Sequence, residues 1–124
     1  MIRPGPVPIL QIRGTLIAAL QGELSDRVAE RFQQDVLAKI ERTGARGLML
    51  EISSLDIVDT YVARALADTA QMARLMGTRT VIVGMRPEIA ATLVQMGYQL
   101  DGIEAALNVD HGLELLERLF AEET

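Results

Sequence analysis

The chain has 124 residues, the size of one domain with one core, and its 17 acidic against 12 basic residues give a net charge of −5. That sign is wrong for a protein that holds nucleic acid by neutralising phosphates, and with two Phe, two Tyr and no Trp there is no platform for stacking bases. The absence of Cys removes disulfides and thiolate metal sites, no apolar run approaches the length of a membrane span, and the opening MIRPGPVP lacks a signal's apolar core, so a soluble cytoplasmic protein is expected.

Residues 7–13 and 15–22 are β-rich runs joined by Arg13-Gly14, which predicts an antiparallel hairpin with a tight turn. Pro4, Pro6 and Pro8 cannot donate ladder hydrogen bonds, which places the start of the first strand at a sheet edge. Ser25 is the expected N-cap of a helix in which Val28, Phe32, Val36 and Ile40 recur at fourfold spacing until Gly44 stops it. The run LMLEI at 48–52 has the composition of a strand covered on both faces. The segment LDIVDT at 55–60 leads into a helix over about 59–76 that ends at Gly77.

TVIV at 80–83 is a further buried strand. Pro87 suits the first position of a helix with Ile89 and Leu93 inward and Gly97 at its end. A short last strand is expected around 103–107. Asp110 is then expected to cap a terminal helix with Leu113, Leu116 and Phe120 inward. A hairpin followed by strand–helix alternation gives an α/β domain spanning 1–124, with a mixed sheet opened by the hairpin and about four helices, since parallel neighbours need helical crossovers.

Catalytic signatures are missing. Lys39 is the only lysine and lies inside a helix with no glycine-rich loop before it, which excludes a P-loop and weakens a phospho-aspartate receiver. Neither GxGxxG nor GxSxG occurs. His111, the sole histidine, has the setting of a solvated residue in a helix's first turn. Met49, Met76 and Met85 are expected to fill core gaps. Asp56 and Asp59, three apart in a loop-to-helix turn, are of the type that caps and turns the chain more often than it moves protons. No catalytic residue, cofactor or metal site is expected, and the chain is not read as an enzyme.

Thr60 is the position of greatest interest. It falls in the first turn of its helix, where unpaired N–H groups and the positive dipole end can receive an anion. At 100° per residue, Val62, Leu66, Thr69, Ala73 and Met76 form an inward face and Arg64, Asp68 and Gln71 the opposite one. Tyr61, Met72 and Leu75 flank the polar stripe, so apolar surface is expected to stay exposed close to Thr60. On the residues alone two readings stand: Asp59 and Thr60 simply start a helix, or the threonine is a phosphorylatable switch beneath a partner.

The hairpin–αβαβα order, the passage LDIVDT running into YVARALADTAQMARLMG, and the later VIVGMRPEIAATLVQMGY resemble STAS domains, in particular the short RsbS-type antagonists of bacterial stressosomes. The likeness extends through GELSDRVAERFQQDVLAKIERTGARG, and an acidic residue followed by a hydroxyl, combined with G-x-x-P-E, marks the stressosome branch. With no amino-terminal sensory domain in view, the RsbS-like role is favoured over the RsbR-like one.

The resemblance implies a non-catalytic scaffold that assembles with RsbR-like STAS paralogues, as a homo-oligomer or a large hetero-oligomeric shell. The shell sequesters an RsbT-like serine/threonine kinase until phosphorylation releases it. Matched to the motif, the acceptor is Thr60, oriented by Asp59, where RsbS-type proteins usually carry Ser; Thr92 is a further candidate acceptor. The partner-binding residues are then Asp59, Tyr61, Arg64, Asp68, Met72 and Leu75, with neither nucleic acid nor membrane as a partner. The alternative is a stand-alone anti-anti-sigma factor that binds an anti-sigma kinase directly.

Overall fold

A computed structural model describes residues 7–97 and 102–123. Pro4 and Pro6, assigned above to a sheet edge, lie outside the described residues. The chain begins with a hairpin, β1 (Ile9–Ile12) and β2 (Thr15–Glu23), closed by Arg13 and Gly14. Arg13 has φ 56°, the left-handed conformation that a two-residue hairpin turn demands because its twist must match that of the strands. Then follow α1 (Asp26–Thr43), β3 (Gly47–Ile57), α2 (Thr60–Leu75), β4 (Arg79–Val83), α3 (Pro87–Gln95), β5 (Ile103–Ala106) and α4 (Val109–Glu123).

The sheet order is β1-β2-β3-β4-β5, with β1 antiparallel to β2 and the other neighbours parallel. Each parallel step is taken through a helix, and the shared right-handedness of such crossovers sends α1, α2 and α3 to the same face. Alternation along the strands divides the core accordingly. Leu16, Ala18 and Leu20 of β2, Leu48, Leu50 and Ile52 of β3, and Ile82 of β4 pack with Phe32, Val36 and Ile40 of α1, Val62 and Leu66 of α2, and Ile89 and Leu93 of α3. Ile17, Met49, Val81 and Val83 point the other way, against Leu116 of α4. The near-continuous apolar run of β3 is thus explained by burial on both faces.

The helix boundaries follow local chemistry. Ser25 caps α1, its Oγ accepting from the Val28 N–H at 3.2 Å, and Gly44 ends that helix at φ 67° with its N–H donating to the Ile40 carbonyl. At the start of α4, Asn108 and not Asp110 is the cap: its Oδ1 accepts from the His111 N–H at 2.9 Å, and Asp110 lies inside the helix's first turn. Two Asx residues two positions apart offer the same chemistry, and the one outside the first turn takes the capping role.

Candidate functional site at the start of α2

Parallel strands bring the amino ends of α1, α2 and α3 to the carboxyl edge of the sheet, the edge at which α/β folds place their working residues. β3 is the longest strand, and it outruns its neighbour. Its ladder with β4 stops at Glu51 and Val83, whereas its ladder with β2 continues, with two register shifts, to Ile57 beside Glu23. Beyond Glu51 it is therefore flanked on one side only, and Ser53, Ser54, Asp56 and Ile57 are exposed. Asp56 consequently sits within a strand, not in the expected loop-to-helix turn. It does not share the turn with Asp59, which removes the pairing on which an acid–base reading of the two carboxylates rested.

Val58 is buried and pins the chain where it leaves the sheet. Asp59 follows in extended conformation, its Oδ1 accepting from the Val62 N–H at 2.8 Å and its carbonyl from the Ala63 N–H at 2.9 Å. This cap leaves the first N–H groups of the helix, those of Thr60 and Tyr61, without intrahelical acceptors. Thr60 is the first residue of α2 and its side chain is exposed. Asp59 thus caps the turn that begins with Thr60.

The faces of α2 largely match the expected angular layout. Val62, Leu66, Thr69 and Ala73 are buried, joined by Ala63, Ala67 and Ala70. Thr69 sits at the seam with α1, donating to the Ala65 carbonyl at 2.6 Å and accepting from Gln33 Nε2 at 3.3 Å. Met76 is a correction. It is 43% exposed because α2 ends at Leu75 and Met76 is already the C-cap, off the helical path that would have carried it inward. Met49 is fully buried and Met85 half-buried against the core, as expected.

Tyr61, Arg64, Met72 and Leu75 are exposed and Asp68 is half-buried, so an outer stripe mixing apolar and charged side chains runs from Thr60 down the helix. Leu75 is 90% exposed. The G-x-x-P-E segment forms the adjoining corner. Gly84, at φ 80°, lies so close to Ser53 that a Cβ there would stand 2.9 Å from the Ser53 nitrogen. Pro87 opens α3, and Arg86 Nη1 lies 3.4 Å from Glu88 Oε1.

The Arg86 Nε and Nη2 are buried with no hydrogen-bond partner among the described residues. The motif drew attention to this corner, but nothing in it singled out Arg86, and nothing in the local sequence signalled that Glu23 would lie beside Ile57. Thr92 is half-buried and spends its hydroxyl on the Glu88 carbonyl at 2.8 Å. His111 is exposed in the first turn of α4. Among the described residues no three His, Asp or Glu side chains are grouped so as to hold a metal, and no helix is long and apolar enough to cross a membrane.

Residues 7–111 match the family model of the STAS domain. The RsbT co-antagonist protein RsbRD of Bacillus subtilis is 34% identical over 105 residues, which is 84% of this chain and 38% of that protein, so the chain spans well under half of that relative. Its paralogue RsbRA is 26% identical over 98 residues, 79% of this chain and 36% of that protein. Among solved structures, the RsbS of Moorella thermoacetica carrying a serine-to-glutamate substitution superposes with a TM-score of 0.85 at 34% identity, covering 94% of this chain and 99% of that one. A chain of the stressosome, described as a signal integration and transduction hub, superposes with a TM-score of 0.77 at 32% identity, covering 90% and 97%. With this topology, this motif at the start of α2 and these relatives, the chain belongs to the STAS-domain family and is a stressosome-type member related to RsbS and RsbR.

Proposed function

We propose that this protein is a non-catalytic stressosome scaffold that binds and sequesters an RsbT-like serine/threonine kinase and releases it when Thr60 is phosphorylated, within a regulatory system for the general stress response. RsbR-like STAS paralogues are its partners in the shell. The observation that carries the reading is the exposed Thr60 side chain as first residue of α2, set by the Asp59 cap, in a domain 34% identical to an RsbS over almost the whole of that chain. The relatives named as co-antagonists of RsbT supply the class of partner.

The electrostatics suit a switch. A phosphate adds about −1.5 to −2 charges and three acceptor oxygens directly beside the carboxylate of Asp59, the cap of the same turn. The helix amino end returns only about 0.3–1 kcal/mol, which keeps the modified protein folded without neutralising it. A partner packed over the same point loses its contact through desolvation and like-charge repulsion. If that penalty is roughly 3 kcal/mol, affinity falls on the order of 150-fold, enough to turn capture into release. The exposed Tyr61, Met72 and Leu75 supply apolar anchors, with Arg64 and Asp68 between them.

Incubation with an RsbT-type kinase and ATP, followed by mass spectrometry of the modified peptide, tests the reading. Phosphate on Thr60 and its absence from a Thr60→Ala variant are expected. Quantitative modification elsewhere, with Thr60 untouched, would overturn it.

A further inference from the structure

We infer that the cleft between α4 and the turn of the hairpin binds a small apolar monocarboxylate of the alkanoate type. The cleft has a volume of about 450 Å³. It exists because α4 lies over β3, β4 and β5, leaving the hairpin end of this face only partly covered, with Ile12 44% exposed. Leu113, Leu116 and Phe120, spaced three and four residues apart on α4, form one wall, and Ile12 of β1 belongs to the other. Pockets that enclose small molecules span about 300–1,000 Å³ and combine apolar walls with a few polar groups, and this cleft has both properties.

The lining is graded from dry to wet. Leu116 is 1% exposed and Leu113 and Phe120 are half-buried, whereas Arg13, Arg46 and Glu117 have exposed side chains and form the mouth. The base is a close approach of helix to strand. A Cβ at Gly47 would stand 3.0 Å from Phe120 Cζ and 3.1 Å from Leu116 Cδ1. The bare backbone of Gly47 therefore lets both side chains bed against the first residue of β3, and the space that remains is bounded by the hairpin from Ile12 to Thr15.

Two guanidiniums at the mouth select the head group. Arg46 lies over the Phe120 ring, 4.5 Å from its centroid, a stacking that holds the guanidinium plane and leaves its edge N–H groups free to take a carboxylate. Neither arginine is consumed by its acidic neighbour. Arg13 Nη1 is 3.6 Å from Glu117 Oε1 and Arg46 Nη2 is 3.8 Å from Glu123 Oε2, both beyond hydrogen-bond length, while Glu123 Oε1 is 2.6 Å from Arg79 Nη1. The lining thus sets two positive charges against the one carboxylate of Glu117. A monoanion suits that balance, and a dianion such as a phosphate monoester would bring its second charge against Glu117. The net charge of −5 opposes any anion at long range, so the ligand is held by these short contacts and by the apolar chain behind its head.

The cleft opens where β2 and β3 begin, at the opposite end of the strands from Thr60, so it goes beyond the function proposed above and is tested apart from it. Calorimetric titration of the full chain with hexanoate, octanoate and decanoate should give one site per chain. Affinity should rise by up to about fourfold per added methylene until the walls are filled. Octan-1-ol should bind at least about fivefold more weakly than octanoate, and octyltrimethylammonium should leave the site empty. In amide NMR spectra, octanoate should shift Gly14, Gly47 and Phe120 and leave Thr60 and Tyr61 in place.

Arg13→Asn removes a charge with a residue that tolerates the left-handed turn, and Arg46→Gln removes the other. Each should weaken octanoate by about fivefold and leave octan-1-ol unchanged, a difference that a loosened fold would not produce. Ile12→Trp should fill the cleft and abolish binding of both, with an unchanged circular dichroism spectrum. If the arginine variants fold poorly, the head-group comparison on wild type and the Trp variant decide. The absence of saturable binding, octan-1-ol binding as tightly as octanoate, full octanoate affinity in both arginine variants, or shifts centred elsewhere would overturn the inference. So would movement of the same amides with protein concentration alone, which would give the cleft to a second copy. Thr60→Asp should bind octanoate like wild type, so failure of the cleft leaves the phosphorylation reading in place, and failure of kinase release leaves the cleft.

Discussion

Asp59 Oδ1 and the Val62 N–H are joined by a 2.8 Å hydrogen bond that closes the first turn of α2, the turn in which Thr60 lies. Replacing the carboxylate by a methyl group leaves an N–H uncapped. Asp59→Ala should destabilise the fold by about 1 kcal/mol, within the range of roughly 0.5–2 known for N-caps. With a urea slope of about 1–3 kcal/mol/M, the unfolding midpoint should fall by roughly half a molar. Asp59→Asn, which keeps an acceptor, should recover most of it.

Charge at Thr60 should decide kinase capture. Thr60→Ala removes the hydroxyl without adding charge, and calorimetric titration with the RsbT-like kinase should give an affinity within about threefold of wild type, a difference of roughly 0.6 kcal/mol. Thr60→Asp carries one of the phosphate's charges and should weaken binding at least about tenfold, or about 1.4 kcal/mol. Equal binding by both variants would remove the switch.

The corner formed by Gly84 and Ser53 is closed to any side chain. A Cβ at Gly84 would meet Glu51 Oε1 and Ser53 Cβ at 2.7 Å, on a backbone of φ 80°. Gly84→Ala should destabilise by roughly 2–4 kcal/mol, combining left-handed strain with overpacking. Gly44 offers the control: it too is left-handed, at φ 67°, but a Cβ there meets nothing within 4 Å. Gly44→Ala should lose only the strain, about 1–2 kcal/mol. Parallel thermal or urea melts measure the difference.

Leu75 is solvated on nearly all sides, and Met72 stands a turn before it. Leu75→Glu should leave stability within about 0.5 kcal/mol, as exposed substitutions do. If the stripe is the kinase's docking face, the same change together with Met72→Glu should weaken kinase binding by about tenfold or more, since buried apolar anchors carry most of an interface's energy. Unaltered binding by the double variant would move the docking face off α2.

Local chemistry made some elements legible in the sequence and geometry concealed others. Helix α1 could be read from end to end because Ser25 and Gly44 are independent start and stop signals around a fourfold apolar repeat. The hairpin was equally plain, since Arg13-Gly14 is a two-residue turn between β-rich runs. The apolar run marks β3 only over 48–52, whereas the strand extends from Gly47 to Ile57. Its second half carries Ser53, Ser54 and Asp56, polar residues that a one-sided ladder leaves in solvent and that a sequence pattern cannot tell from a loop. The exposed positions of Tyr61, Met72 and Leu75 were legible from angular arithmetic, whereas Met76 was not, because that arithmetic assumes a helix that has not yet ended. Arg86 was invisible for a related reason: the burial of its Nε and Nη2 is a tertiary property that no local spacing encodes.

Helix α2 also sets a length scale. Fifteen steps of 1.5 Å separate Thr60 from Leu75, roughly 22 Å, while physiological salt extinguishes a surface charge over about 8 Å. A phosphoryl group at the head of the helix is therefore electrically absent at its foot. A protein gripping only the upper turns would be expelled outright, whereas one clasping the whole rod would be loosened at one end and still tethered at the other. How much of α2 a regulator covers would then determine whether it leaves abruptly or lingers.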